Sequence, residues 1–353
     1  MPGVSKASRP EEMAEPRNQL LGTLLKDVSR SFYLTLRILP AKIRPQIGLA
    51  YLLARTTDTI ADTGLIAPEK RLDALNRLKQ RILGLDEAPL DFTELAQHQG
   101  SAAERILLEK CETTLGLLQT LSPEDRKLVR EVLGTITSGQ ELDLQRFGDA
   151  SVNRLVSLRT AAELDDYTYR VAGCVGEFWT KICLAHIYRG TALDESYLLA
   201  NGVCFGQGLQ LVNVLRDLPA DLRNGRCYLP AEQLTSRGLT PEDLLNPQNE
   251  GRLRPIYDTW LGRAESHLFA GWNYTNALPR GSVRVRLACA WPIQIGLETT
   301  KLLRAGPILD PARRVKVPRG EVKKLMLRSV LLYPFPAWKC LVRSSGGGSL
   351  RAA

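Results

Sequence analysis

Helical periodicity is the feature that most restricts what this chain can become. Apolar residues recur at three- and four-residue intervals through 19–37, 41–63, 68–84, 101–120, 123–146, 160–188, 193–218, 250–278 and 281–304. Strand-type alternation is scarce, so the pattern predicts an all-α fold. Pro40, "SPED" at 122–125 and "TPEDLL" at 240–245 supply helix-start chemistry, and "RNGRCYLP" at 223–230 is a turn-rich break. Nothing between 19 and 335 reads as a linker, so one helical domain is expected there. It is flanked by a flexible tail at 1–18 and a basic, flexible tail at 336–353 that ends "SSGGGSLRAA".

No apolar run approaches the roughly 18–20 residues that span a bilayer, and the polar start "MPGVSKASRPEEMAEPRNQ" lacks a signal-peptide core. The seven cysteines are scattered with no CxxC, and the three histidines stand apart. Buried, reduced thiols are therefore expected rather than a zinc site. The net charge of +9 is a C-terminal property, since residues 301–353 balance at +10 and the rest at −1. No nucleic-acid motif accompanies that charge, so anionic lipid, a phosphorylated ligand or plain solvation are the readings that remain.

Against this apolar background, "LLARTTDTIADTG" at 52–64 places Asp58 and Asp62 one turn apart on a single helix face. Like charges at that spacing cost a helix a few tenths of a kcal/mol. "LQLVNVLRDLPADLRNGRCYLP" at 209–230 repeats the device, with Asn213, Asp217 and Asp221 at i, i+4 and i+8. On a continuous helix they fan over about 80° of one face. An arginine lies beside each patch, Arg55 and Arg216. Carboxylates that repel one another are stabilised by a hard cation, and Mg²⁺ is commonly held by one or two carboxylates plus substrate phosphates. Arginine adds fork-shaped donors to the same diphosphate oxygens, a chemistry suited to ionising an allylic diphosphate. Pro219 is expected to kink or end the second helix, setting Asp221 on the first turn after a bend.

These motifs, in this order over about residues 20–335, resemble the squalene/phytoene synthase family of isoprenyl diphosphate synthases, nearest its squalene synthase branch. The resemblance implies an isoprenoid synthase-type helical bundle around a central apolar cavity, with 19–335 as the catalytic domain. "VSRSFYLTLRILP" at 28–40 is similar to the family's substrate-approaching segment, which assigns that role to Ser29, Arg30 and Phe32. "YLLARTTDTIAD" resembles the first aspartate-rich motif, with Tyr51 in the pocket, Arg55 on diphosphate, and Asp58 and Asp62 on Mg²⁺. "YTYRVAGCVG" at 167–176 puts Tyr167 at the family's catalytic tyrosine, with Val171, Ala172 and Gly176 lining the cavity. "GLQLVNVLRDLPAD" resembles the second metal motif, implying Gln210 and Arg216 on substrate and Asn213, Asp217 and Asp221 on metal; Arg226 and Tyr228 follow at the rim. "LACAWPIQIGLETTKLL" at 287–303 resembles a late helix on the prenyl tunnel and reads equally well as a plain core helix. Gln140 and Arg170 depart from the commoner family residues.

The resemblance implies a transferase that joins two farnesyl diphosphates head to head through presqualene diphosphate and then reduces the product with NADPH to squalene. "GPILDPARRVKVPRGEVKKLM" at 306–326 resembles the segment that contributes to NADPH binding, with Lys316 and Arg319 as the matching residues; a mobile basic stretch suits those phosphates. Two alternatives stay open: a phytoene- or dehydrosqualene-type synthase without reduction, and a silent lipid-binding or assembly homologue. A cytoplasmic location is expected. Peripheral contact at the inner face of a membrane is open through Tyr333, Phe335 and Trp338, and so is packing of that stretch on the protein body.

Overall fold

The computed structural model describes residues 18–29 and 33–342. Arg30 and Phe32 lie outside the described residues. Helix accounts for 74% of the described residues, in accord with the periodicity. The chain divides into two compact units, Met1–Gly148 with Lys181–Arg189, and Asp149–Thr180 with Gly190–Ala353.

The first unit contains α1 (Leu25–Ser29), preceded by a π-helical stretch Gln19–Leu24, then α2 (Tyr33–Ile38), α3 (Arg44–Asp62), α4 (Pro68–Leu83), α5 (Thr93–Gln97), α6 (Ala102–Glu109), α7 (Cys111–Gln119) and α8 (Pro123–Phe147). The helix expected over 101–120 is broken at Lys110 into α6 and α7. The α8 start follows the "SPED" signal: Ser122 accepts from the Asp125 amide and Pro123 occupies the first turn. Leu52, Leu53, Leu75, Leu78, Val129 and Leu133 are fully buried and knit α3, α4 and α8 together. Asp125, buried at the head of α8, accepts from Gln46 Nε2 at 3.0 Å and pairs with His186 Nε2 at 2.6 Å.

The second unit contains β1 (Val156–Ser157), α9 (Ala161–Thr168), a π-helical stretch Tyr169–Gly173, α10 (Cys174–His186, whose end belongs to the first unit), α11 (Glu195–Arg223), β2 (Arg226–Cys227), α12 (Ala231–Thr235), α13 (Glu250–Ala277), α14 (Val283–Arg304) and α15 (Arg319–Leu332). The "TPEDLL" signal starts only a short 3₁₀ turn, Glu242–Leu245. The break "RNGRCYLP" resolves into Gly225 at φ 80° followed by β2, which pairs in parallel with β1. A Cβ on Gly225 would stand 2.2 Å from the Ser151 amide nitrogen, so the turn requires glycine in both conformation and space.

Two expectations are corrected here. Pro219 does not end the helix, because α11 runs unbroken to Arg223. By length and composition α11 would also pass for a membrane span; instead it packs along α13 and α14 within its unit. The basic end of the chain is ordered further than expected: Pro336–Leu341 forms a 3₁₀ turn that buries Trp338 against Trp272, with ring centroids 5.0 Å apart. Of the cysteines, Cys111, Cys174, Cys183, Cys227 and Cys289 are buried, and burial pushes the thiols of Cys111, Cys174, Cys227 and Cys289 up to about 12.

Candidate active site

Helix α3 carries the first motif. Its polar run "RTTDT" is tolerated in an apolar helix because the threonine hydroxyls turn back on their own backbone, Thr56 to Leu52 O and Thr57 to Ala54 O. Tyr51, Arg55, Asp58 and Asp62 then follow one another at helical spacing. Arg55 forks between two acids, Asp58 and Glu104, the latter supplied by α6. Burial pushes the Asp58 carboxyl up to about 7; the Asp62 charge adds to the rise and Arg55 opposes it. Ser29, at the end of α1, is buried and donates its hydroxyl to Leu25 O.

Helix α11 carries the second motif. Because the helix is continuous, Asn213, Asp217 and Asp221 share its face as an unbroken i, i+4, i+8 series. Arg216 grips Asp217 with two parallel bonds, Nε to Oδ1 at 2.9 Å and Nη2 to Oδ2. That hydrogen bonding holds the Arg216 guanidinium above its ordinary range. Gln210 Nε2 donates to the Tyr167 hydroxyl at 3.4 Å, and Asn213 Nδ2 donates to Gln210 Oε1 at 3.4 Å. The Tyr167 ring stacks on buried Tyr228, centroids 4.7 Å apart, and β2 places Arg226 two residues before Tyr228. Tyr167, Gln210, Asn213 and Tyr228 are thus assembled from three segments of the second unit.

Small residues set this assembly. A Cβ on Gly176 would stand 1.8 Å from Gly202 O, and one on Gly206 would stand 2.1 Å from Ala172 O. Ala172 and Gly176 therefore let the helical segments after Tyr167 approach the α11 backbone directly, which gives Gly176 a packing role. Val171 lies on the same π-helical stretch, a local irregularity of the kind found at functional sites. Arg170 is accounted for by Asp166, one turn earlier, which accepts from its Nε at 2.8 and 2.9 Å.

Lys316 and Arg319 are both exposed, on a segment that is pinned where a mobile one was expected. Val315 and Val317 are buried on either side of Lys316. Arg254 donates to Gly306 O at 2.6 Å, Arg223 to Pro311 O at 3.0 Å, and Glu250 accepts from the Ile308 amide at 3.0 Å. Glu104 and Tyr257, described below, escaped sequence reading because their partners are remote; the Ala172/Gly176 and Gly202/Gly206 spacing was the visible signal for the packing.

A profile of the squalene/phytoene synthase family matches residues 25–321. The chain belongs to that family. Its members are prenyltransferases that condense isoprenyl diphosphates head to head, with Mg²⁺ serving diphosphate binding. Curated relatives divide between two reactions. The bifunctional lycopene cyclase/phytoene synthase of Colletotrichum graminicola is 31% identical over 68% of this chain and 39% of its own length. The 15-cis-phytoene synthase of Synechocystis is 27% identical over 84% of this chain and 78% of its own. The squalene synthase of Saccharomyces cerevisiae is 27% identical over 87% and 66%. The chain therefore spans well under half the length of the first of these. Solved structures share the fold: TcSQS with the ligand BPH1237 gives a TM-score of 0.71 at 20% identity over 94% of each chain. A liganded dehydrosqualene synthase gives 0.65 at 20% identity over 92% of this chain and 99% of its own.

The donor sets fit a hard divalent cation. Both motifs offer oxygen ligands, and in each an arginine now neutralises one carboxylate. Among the described residues no three acidic, histidine or cysteine side chains converge, so phosphate oxygens and water would complete any coordination shell.

Proposed function

We propose that this chain is a Mg²⁺-dependent squalene synthase, joining two farnesyl diphosphates through presqualene diphosphate and reducing the product with NADPH. The observation that carries the reading is the pairing of an arginine with an acidic helix face in each motif, Arg55 with Asp58 and Arg216 with Asp217. Asp58 and Asp62, and Asn213, Asp217 and Asp221, are the residues that would hold Mg²⁺, which supplies charge neutralisation to a departing diphosphate. Released from their carboxylates, Arg55 and Arg216 turn their forks to diphosphate oxygens, assisted by Arg30 and Arg226. Tyr167, oriented by Gln210 and by stacking on Tyr228, holds or moves the proton near the reacting carbons. Val171 and Ala172 in the second unit, and Tyr51 in the first, keep the cavity-lining roles that the family resemblance gives them, which would shield a carbocation from water.

Lys316 and Arg319 support the reductive ending: both are exposed positive charges beside buried valines and the start of α15, a chemistry that suits a dinucleotide's phosphates. NADPH supplies hydride when bound. Exposed Leu327, Val330, Leu331 and Phe335 beside Lys323, Lys324 and Arg328 support peripheral membrane contact from the cytoplasmic side. The phytoene-type reading without reduction is favoured by the two phytoene synthase relatives. Product analysis separates them. Farnesyl diphosphate and Mg²⁺ with NADPH should yield squalene; an NADPH-indifferent polyene would move the function to the non-reductive branch. No turnover of farnesyl or geranylgeranyl diphosphate would leave a silent homologue.

A further inference from the structure

Pro219 lacks the amide hydrogen that would bond Leu215 O, and a proline ring crowds the carbonyl four residues before it. An orphaned carbonyl inside an apolar helix pair should splay the turn that carries Asp217 and Asp221. The structure supplies the missing donor from another helix: the Tyr257 hydroxyl, on α13, donates to Leu215 O at 2.9 Å. Tyr257 is fully buried, and Leu215 is 1% exposed, so no water competes for that carbonyl. Arg254 lies over the Tyr257 ring, its guanidinium carbon 5.9 Å from the ring centre, while its nitrogens bond Leu303 O and Gly306 O. A second tie closes the same turn, since Arg223 donates to Pro219 O at 3.1 Å and to Pro311 O at 3.0 Å.

We infer that Tyr257 is a positioning residue for the second acidic motif: it replaces the helical donor removed by Pro219 and so keeps Asp217 and Asp221 in register on one face. The inference rests on the reading of that face as a metal-diphosphate holder. The proline then has a use, because a carbonyl left without its helical donor and clasped by a fixed phenol registers α11 against α13 and, through Arg254, against the Gly306 loop.

The test is a double-mutant cycle on the full chain. Tyr257→Phe keeps the ring and removes the donor; Pro219→Ala restores the backbone donor. Mg²⁺-dependent binding of inorganic pyrophosphate is measured by calorimetry, and amide exchange across 213–223 is measured without metal. Tyr257→Phe should weaken pyrophosphate binding about tenfold and speed exchange at the turn around Asp217–Asp221. Adding Pro219→Ala to it should return both readings to near the wild-type values, which a general loss of packing at Tyr257 would not permit. Unchanged binding in Tyr257→Phe, or a defect that persists undiminished in the double variant, overturns the positioning role alone. If the wild-type chain binds no pyrophosphate with Mg²⁺, the metal reading itself falls.

Discussion

Gly176 and Gly202 meet backbone to backbone, so closely that a Cβ on Gly176 would lie 1.8 Å from the Gly202 carbonyl oxygen. That contact, with Gly206 against Ala172, sets how near the helical segments that follow Tyr167 come to α11. Gly206→Ala should therefore lower stability by about 2–3 kcal/mol through overpacking against backbone that cannot yield. Gly262→Ala, where an added Cβ meets nothing within 4 Å, should raise it by about 0.5–1 kcal/mol through helix propensity. Chemical denaturation of both variants checks the pair, and equal effects would contradict the packing assignment.

The first motif predicts a pH-dependent stability cost. The Asp58 carboxyl titrates near 7 in the folded chain, above its ordinary value of 3.8. Between those values the folded state holds a proton that the unfolded state has lost, so stability falls as pH rises toward 7 and the cost is complete above it. Its side chain keeps 41% of its accessibility, so solvent screening limits the effect to about 1 kcal/mol. Without metal, Asp58→Asn should melt ~1–2 °C above the wild type at pH 8 and match it at pH 4. Mg²⁺ with pyrophosphate should raise the wild-type midpoint by more than it raises that of the variant. Thermal scans over this pH range read both.

Tyr167→Phe preserves the ring stacked on Tyr228 and deletes only the hydroxyl that Gln210 addresses. Turnover should drop about 100-fold, while Mg²⁺-dependent pyrophosphate binding stays within about twofold, because the carboxylates carry that binding. Steady-state rates with calorimetry separate the two effects. A parallel loss of binding would make Tyr167 a structural residue.

Trp338 ties the end of the described chain to the second unit. It is 3% exposed, donates to Asn276 Oδ1 at 2.9 Å, and meets Tyr333 edge-on at 4.8 Å. Trp338→Ala should cost about 3–5 kcal/mol, whereas Phe335→Ser, at a position 57% exposed, should stay within about 0.5 kcal/mol. Urea midpoints of the two variants decide between an anchored end and a free tail.

Amino-acid order alone determined what is local. The apolar period set the long helices, so the helix expected at 250–278 is α13, Glu250–Ala277, and Ser122–Pro123 set the α8 start. The i, i+4 spacing of the acids and the adjacent arginines are likewise local, which is why both motifs were legible. Tertiary structure decided where local rules meet a remote partner. Pro219 reads as a helix breaker until Tyr257, 42 residues from Leu215, supplies that residue's carbonyl with the donor that the proline ring removes. Arg55 reads as a neighbour of Asp58, yet it also binds Glu104, 49 residues on. The β1–β2 pairing, two residues to a strand, is too short to leave a period and exists because the Gly225 turn brings it to residues 151–157. A helix can be read from its own side chains because its hydrogen bonds close within four residues. A broken bond mended from another helix can be read only once the two are packed.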